Sequence, residues 1–275
     1  MSLIKVCVIT SSRSEYGLIR WLMDDIKSSD DFELQVIATG SHFSEKYGLT
    51  YQEIESNGFT IDKKIPFNLE KSDQTSVAKA TGLLTGDLVD ALDILNPDIV
   101  MVMGDRYELL SVLTACILKT IPIAHISGGE ITEGAIDDQI RHAMTKASHL
   151  HYVANEVYGA RIVQMGEEQW RVCVSGEPGL DNLYREPLMS FDELQNDLGM
   201  NLLKPTALVT FHPVTLELED LDWQVKELLM ALNQATAEQE LQYLITFPNA
   251  DPSSINIIKT LEEFTYKRSD RKLVK

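Results

Sequence analysis

The chain has 275 residues, 44% of them hydrophobic, and its 42 acidic against 24 basic side chains give a formal charge of −18. This length and apolar content suffice for one large or two ordinary globular domains, and the acidic balance excludes long-range attraction to nucleic acid or to an anionic membrane surface. The longest apolar runs, such as DIVMVMGD and SVLTACILK, are too short to span a bilayer, and MSLIKVCVITSSRSE lacks the layout of a signal peptide, so a cytoplasmic protein is expected.

Along the chain, short runs rich in Val and Ile alternate with longer segments of helical period, the pattern of an α/β fold with a doubly wound parallel sheet. Strands are expected near residues 5–10, 33–38, 99–103, 122–126, 151–153 and 172–174, with TIDKKIPF as a seventh. Helices fill the gaps, clearest over 75–95, closed by Asn96-Pro97, and over 106–119. At GEPGLDNLY, residues 176–184, turn-forming residues cluster and the pattern pauses. It then resumes with a helix in MSFDELQNDLGM, a strand in TALVTFH, a helix in DWQVKELLMALNQATAEQ, a strand in LQYLITF and a helix in SSINIIKTLEEFTY, with no further strand in the closing RSDRKLVK. The reading is an N-terminal Rossmann-like domain over 1–178 and a partial C-terminal one over 179–275. Cys7, Cys116 and Cys173 each lie inside an apolar run without CxxC spacing, which predicts reduced core thiols and no metal.

In open α/β sheets ligands bind beyond the carboxyl ends of the strands. The segments that follow the expected strands are SSRSEYG, TGSHFSEKYG, GDRYE, SGGEITEGAIDD, HP and PNADP. They place Arg13, His42, Asp105, Arg106, Glu130, Asp137, His212 and Asn249 on one kind of edge. Each has a structural account: Asp105 and Asp137 are good helix caps, Arg13 suits a solvated loop, PNADP makes a turn, and His149 and His151 share a strand face as core histidines. Their coincidence at one edge is what points to a site.

The chemistry that fits is proton transfer beside a bound anion. Crowded carboxylates shift one another's pKa, so that one serves as acid and a neighbour as base, while arginines and helix N-termini hold a phosphate. Gly128-Gly129 would let the backbone approach a ligand closely. Neither a GxGxxG fingerprint after the first strand nor a P-loop occurs, which removes the usual support for a nicotinamide cofactor or for ATP hydrolysis. No cofactor is expected.

Taken in order, SSRSEYG, TGSHFSEKYGLTYQEIESNGF, PDIVMVMGDRYE, IPIAHISGGEITEGAIDDQIRHAMTKASHLH and VTFHPVT resemble the hydrolysing UDP-N-acetylglucosamine 2-epimerase family of sialic- and legionaminic-acid biosynthesis, from residue 4 to about 250. The resemblance implies a glycosyltransferase-B-like architecture of two Rossmann-like domains holding a nucleotide-sugar, with the second domain incomplete here. Relatives continue past residue 275 through a serine- and glycine-rich segment, so a C-terminally shortened chain is expected. The implied reaction is elimination of UDP across C1 and C2 to a glycal, followed by hydration that inverts C2 and yields N-acetylmannosamine.

Carried over by motif, Asp105 of GDR and Asp137 of IDD match acidic positions of proton transfer, and His212 matches a histidine close to the diphosphate. Arg13, with Ser14 beside it, Arg106 and Asn249 match nucleotide contacts. Some relatives have a glutamate where this chain has Ser127, and Glu130 is the acid expected to replace it. The base of the nucleotide and the identity of the sugar stay open. Hydrolysis of a UDP- or GDP-linked diacetamido sugar, a non-catalytic binding or assembly module, and reversible epimerisation without hydrolysis are the alternatives. A homo-oligomer is expected from the resemblance alone.

Overall fold

The computed structural model describes residues 2–67, 73–214, 217–248 and 254–274, which fall into two compact units, Met1–Glu186 and Pro187–Lys275. The first unit runs β1 (Ile4–Thr10), α1 (Arg13–Ser28), β2 (Phe32–Ala38), α2 (Tyr51–Ser56), β3 (Lys63–Lys64), α3 (Gln74–Leu95), β4 (Ile99–Met103), α4 (Leu109–Leu118), β5 (Ile123–Ile126), α5 (Ile136–Ala147), β6 (Leu150–Val153), α6 (Glu156–Gln164), β7 (Val172–Val174) and α7 (Asp181–Arg185). Its seven strands form one parallel sheet in the order β3-β2-β1-β4-β5-β6-β7.

Helices cover both faces of this sheet, which is why its central strands read as continuous apolar runs. Period two sorts β1: Cys7 and Ile9 pack with Leu84, Leu88 and Leu92 of α3 and Val112 and Cys116 of α4, whereas Val6 and Val8 pack with Tyr16, Ile19 and Met23 of α1 and Ile54 of α2. The helix ends follow local chemistry. The Ser12 hydroxyl accepts from the backbone N–H of Glu15 to open α1, and α3 closes on Asn96 in the left-handed conformation (φ 45°) ahead of Pro97.

The turn-rich stretch after β7 packs on the first unit. Asn182 Nδ2 donates to the Gly17 carbonyl at 2.9 Å, and Arg185 grips both carboxylate oxygens of Asp25 at 2.7 and 2.8 Å while stacking on Trp21. The second unit then begins at Pro187.

In the second unit, α8 (Phe191–Leu198) opens on a capping box made by Ser190 and Glu193, and β8 (Thr206–Val209), α9 (Leu221–Glu238), β9 (Gln242–Thr246), α10 (Ser254–Thr265) and β10 (Arg271–Val274) follow. The described strands make a parallel sheet in the order β10-β9-β8. The strand β10 corrects the sequence reading, which ends without one. Its apolar signal is hidden because Arg271 is buried by stacking on Phe264 (4.0 Å to the ring centre), and Lys272 reaches back to the Leu198 carbonyl. A second correction concerns Cys173. It is exposed on the edge strand β7, whereas Cys7 and Cys116 are buried. Among the described residues no helix is long and apolar enough to cross a membrane, and no group of His, Cys, Asp and Glu has the makings of a metal site.

Candidate active site

The sheet order sets β1 beside β4, with β2 and β3 on one flank and β5 to β7 on the other. The crevice beyond their carboxyl ends is where a doubly wound sheet binds its ligand. Residues 11–15 emerge from β1, residues 104–108 from β4 and residues 127–138 from β5. Gly40, just past β2, is pressed into this junction at φ 61°: a Cβ there would lie 2.2 Å from the Ser11 carbonyl oxygen and 2.9 Å from Glu108 Oε1.

Asp105 is no helix cap. The helix expected to start at Arg106 starts at Leu109, and the capping position belongs to Glu108. Asp105 instead forms an ion pair with Arg141 of α5, whose Nη1 also donates to Thr132 Oγ1 at 2.9 Å. Thr132 N–H in turn donates to Asp138 Oδ1 at 3.0 Å, so Asp138 pins the loop after β5. Asp137, in the first turn of α5, stands four residues before Arg141 and shares its face. Glu130 is half-buried. Burial holds its carboxyl above the ordinary value, with the charges of Glu177 and Asp105 adding to the rise and Arg141 opposing it. The structure thus groups Asp105 and Glu130 around one buried guanidinium.

Below them lies His125, fully buried at the end of β5. Its Nε2 is 2.8 Å from the Gly104 carbonyl, which only accepts, so the ring proton sits on Nε2. Burial brings its pKa down to about 4. The ring is a neutral strut between the loops after β4 and β5. The two glycines differ from expectation: a Cβ on Gly129 (φ 75°) would fall 2.5 Å from the Tyr158 carbonyl oxygen, and one on Gly128 would fall 3.0 Å from His125 Nδ1 and Thr145 Oγ1. They let the loop approach α6 and the histidine. Ser127, where some relatives have an acid, is buried with φ 61°, a backbone region that is costly for a side-chain-bearing residue.

Of the expected nucleotide contacts, Arg13 and Ser14 are exposed at the start of α1, Arg13 Nε donating to Glu53 at 2.9 Å and Ser14 Oγ sharing a hydrogen bond with Ser12 at 2.9 Å. Arg106 is buried at 8% exposure, with Nη2 3.3 Å from Glu108 Oε1. His212 belongs to the second unit, exposed just beyond β8, and Asn249 lies outside the described residues.

Residues 24–272 match the UDP-N-acetylglucosamine 2-epimerase family. The chain belongs to this family. A curated relative, the hydrolysing GDP/UDP-N,N'-diacetylbacillosamine 2-epimerase of Campylobacter jejuni, is 40% identical over 271 residues, covering 98% of this chain and 70% of the relative. The hydrolysing UDP-N,N'-diacetylbacillosamine 2-epimerase of Legionella pneumophila is 32% identical over 260 residues, covering 94% and 68%. Among solved structures, the UDP-GlcNAc 2-epimerase of Neisseria meningitidis bound to UDP-GlcNAc aligns with a TM-score of 0.82 at 17% identity, over 99% of this chain and 72% of that one. That likeness is one of fold, and the α/β architecture expected from the sequence is the one observed.

Four residues of this 2-epimerase escaped the sequence reading or were passed over in it. Arg141 was visible in IDDQIRH, but a helical arginine does not announce its partner. Glu15 in SSRSEYG and Glu108 in GDRYE, not singled out in the sequence, are buried at 9% and 1% exposure. His42 stood out only by its edge position. Its ring is buried, hydrogen-bonded to Thr10 Oγ1 at 3.1 Å and Thr50 Oγ1 at 2.8 Å, and burial with the field of Arg106 lowers its pKa to about 4.

Proposed function

We propose that this epimerase acts on UDP-N-acetylglucosamine, releasing UDP and N-acetylmannosamine. The observation that carries the reading is the pair of unlike carboxyl groups on one buried arginine: Asp105 in an ion pair with Arg141, and Glu130 lifted by burial beside them. The C2 proton passes to a carboxylate while the C1–O bond to UDP breaks, and the C–H electron pair becomes the C1=C2 double bond of a glycal. The oxygen of water then bonds to C1, its proton passing to a carboxylate, as a carboxylic acid delivers a proton to C2 from the opposite face. Two carboxyl groups in unlike surroundings, one ion-paired and one half-buried, suit the two directions of transfer. Glu130, whose carboxyl burial raises above its ordinary value, is assigned as the acid, and Asp105 and Asp137 as the groups that accept. Arg13, Ser14 and Arg106 are assigned to hold the nucleotide, and the family resemblance gives His212 and Asn249 nucleotide-side roles as well.

A second reading keeps this chemistry and changes the sugar. The 40% identity to a relative named for diacetylbacillosamine favours a diacetamido sugar nucleotide. Self-association is proposed as well, supported by Leu83, Ile117 and Leu118, exposed on α3 and α4. A light-scattering mass of one chain would overturn it. The test of the main reading is incubation with UDP-N-acetylglucosamine in heavy water, followed by proton NMR, with the diacetamido nucleotide in parallel. N-acetylmannosamine carrying deuterium at C2 is the expected product. Release of UDP without deuterium at C2 would exclude the glycal route.

A further inference from the structure

Two carboxylates and one guanidinium are buried together where the loops after β1 and β4 meet. Glu108, Arg106 and Glu15 are 1%, 8% and 9% exposed. Arg106 Nη2 donates to Glu108 Oε1, and its Nε faces Glu108 Oε2 at 3.3 Å as an ion pair. Glu15 Oε2 accepts from the Ser11 N–H at 2.8 Å and from the Ser11 hydroxyl at 2.9 Å. Glu15 Oε1 and Glu108 Oε2 are buried and accept no hydrogen bond from the described residues. Fully ionised, the group therefore sums to one negative charge in excess, in a place where an uncompensated charge is costly.

Among the described residues, the neighbours named for this cluster do not supply the missing positive charge. His42, from the turn after β2, faces Arg106 but stays neutral between its two threonine hydroxyls. The Tyr107 hydroxyl, 3.5 Å from Arg106 Nη2, is uncharged. Gly40 lies close on the side of Glu108, since a methyl group there would fall 2.9 Å from Glu108 Oε1. The cheapest relief is a proton on one of the carboxylates.

We propose that Glu15 and Glu108 are positioning residues that hold Arg106 for the substrate diphosphate, and that Glu15 takes up a proton when the diphosphate binds, so that nucleotide binding is proton-coupled. The inference rests on the nucleotide reading above and adds a mechanism to it. A diphosphate brings further negative charge to the side of Arg106, and the excess carboxylate must then be neutralised. Glu15 is the acceptor because Glu108 is already committed to the guanidinium. Burial pushes Glu15 up to about 7, Arg106 and Ser11 opposing the rise and Glu108 adding to it, so the proton is available near neutrality.

The experiment is calorimetric titration of the intact chain with UDP at about pH 8, where the terminal phosphate is fully ionised, in two buffers of different ionisation enthalpy. Uptake of about one proton per UDP is expected, with affinity weakening up to about tenfold per pH unit toward higher pH. Glu15→Gln, which keeps the shape of the protonated acid, should bind UDP without uptake and with an affinity independent of pH. Glu108→Gln removes the excess charge from the other side and should likewise abolish the uptake. UDP binding without proton exchange, or unchanged uptake in Glu15→Gln, refutes the coupling and leaves the nucleotide reading standing. No UDP binding at millimolar concentration refutes the nucleotide reading and the coupling with it. Carbon NMR of the Glu15 carboxyl in the free protein is independent of the ligand, and an ordinary carboxylate titration there would also overturn the proposal.

Discussion

Replacing Arg141 by Met keeps most of the buried stem and removes the guanidinium, which tests whether this side chain organises the acidic loops. Removing one partner of a buried ion pair costs about 3–5 kcal/mol, because the other charge is stranded. Here Asp105 retains 20% side-chain exposure and can recruit water, which places its share near the low end, about 2–3 kcal/mol. The lost donor to Thr132 adds about 0.5–1 kcal/mol. Arg141→Met should therefore destabilise the first unit by about 3 kcal/mol. Asp105→Asn in the same background should recover much of that, giving a coupling of about 2 kcal/mol in the double-mutant cycle. Native-state hydrogen exchange at β4 and β5 amides is the suitable assay, since it reads the opening of this unit separately from the second. A coupling indistinguishable from zero would mean that the ion pair contributes nothing, and the grouping of Asp105 with Glu130 around Arg141 would lose its basis.

Gly40→Ala should cost about 3 kcal/mol or more, read by urea unfolding, because both the left-handed backbone and the 2.2 Å approach to Ser11 oppose it; Gly48→Ala, at φ 89° in open space, should cost only about 1 kcal/mol. Stability should fall with acid. His42 and His125 have folded pKa values near 4, below their unfolded value, so the unfolded chain binds two more protons as pH drops from about 6.5 toward 4, while Glu15, raised to about 7, lets the folded chain bind one more over much of that range. The net is a loss of about 1 kcal/mol per pH unit near pH 5.5, and a slope about twice as steep in Glu15→Gln, where the opposing proton is gone. Equal slopes in the two proteins would show that Glu15 does not hold its proton. Glu130→Gln should lower turnover by about 100-fold or more with unfolding unchanged, and full turnover would remove Glu130 from the chemistry.

The layer architecture was legible because a parallel sheet buried on both faces leaves continuous apolar runs, as in KVCVIT and DIVMVM. The same logic failed at β10, where Arg271 and Lys272 spend their length on packing and capping and only Leu273 and Val274 look like strand. The sheet edge at which Asp105 and Glu130 gather about Arg141 was legible too, since it follows from strand order. What each edge residue touches was not. Asp105 reads equally well as a helix cap or an ion-pair partner, and the choice depends on where α4 starts and on a side chain 36 residues away in sequence. Gly128-Gly129 signals close approach in either case, but the sequence does not say whether to a ligand or, as found, to α6 and His125.

Under the proposed roles, the two candidate substrates would meet the carboxyl groups in the same way. Elimination and hydration occur at C1 and C2, which UDP-N-acetylglucosamine and a diacetamido sugar nucleotide present alike, so Asp105, Glu130 and Asp137 carry no means of telling them apart. Discrimination has to come from groups facing the far side of the pyranose ring, where the second acetamido group adds a donor and an acceptor that need partners if buried. A variant at the acidic edge is therefore expected to lower turnover of both sugars by the same factor. A change that alters their ratio, measured as kcat/KM for each, marks a residue that reads the sugar and separates recognition from the proton transfers proposed for the acidic edge.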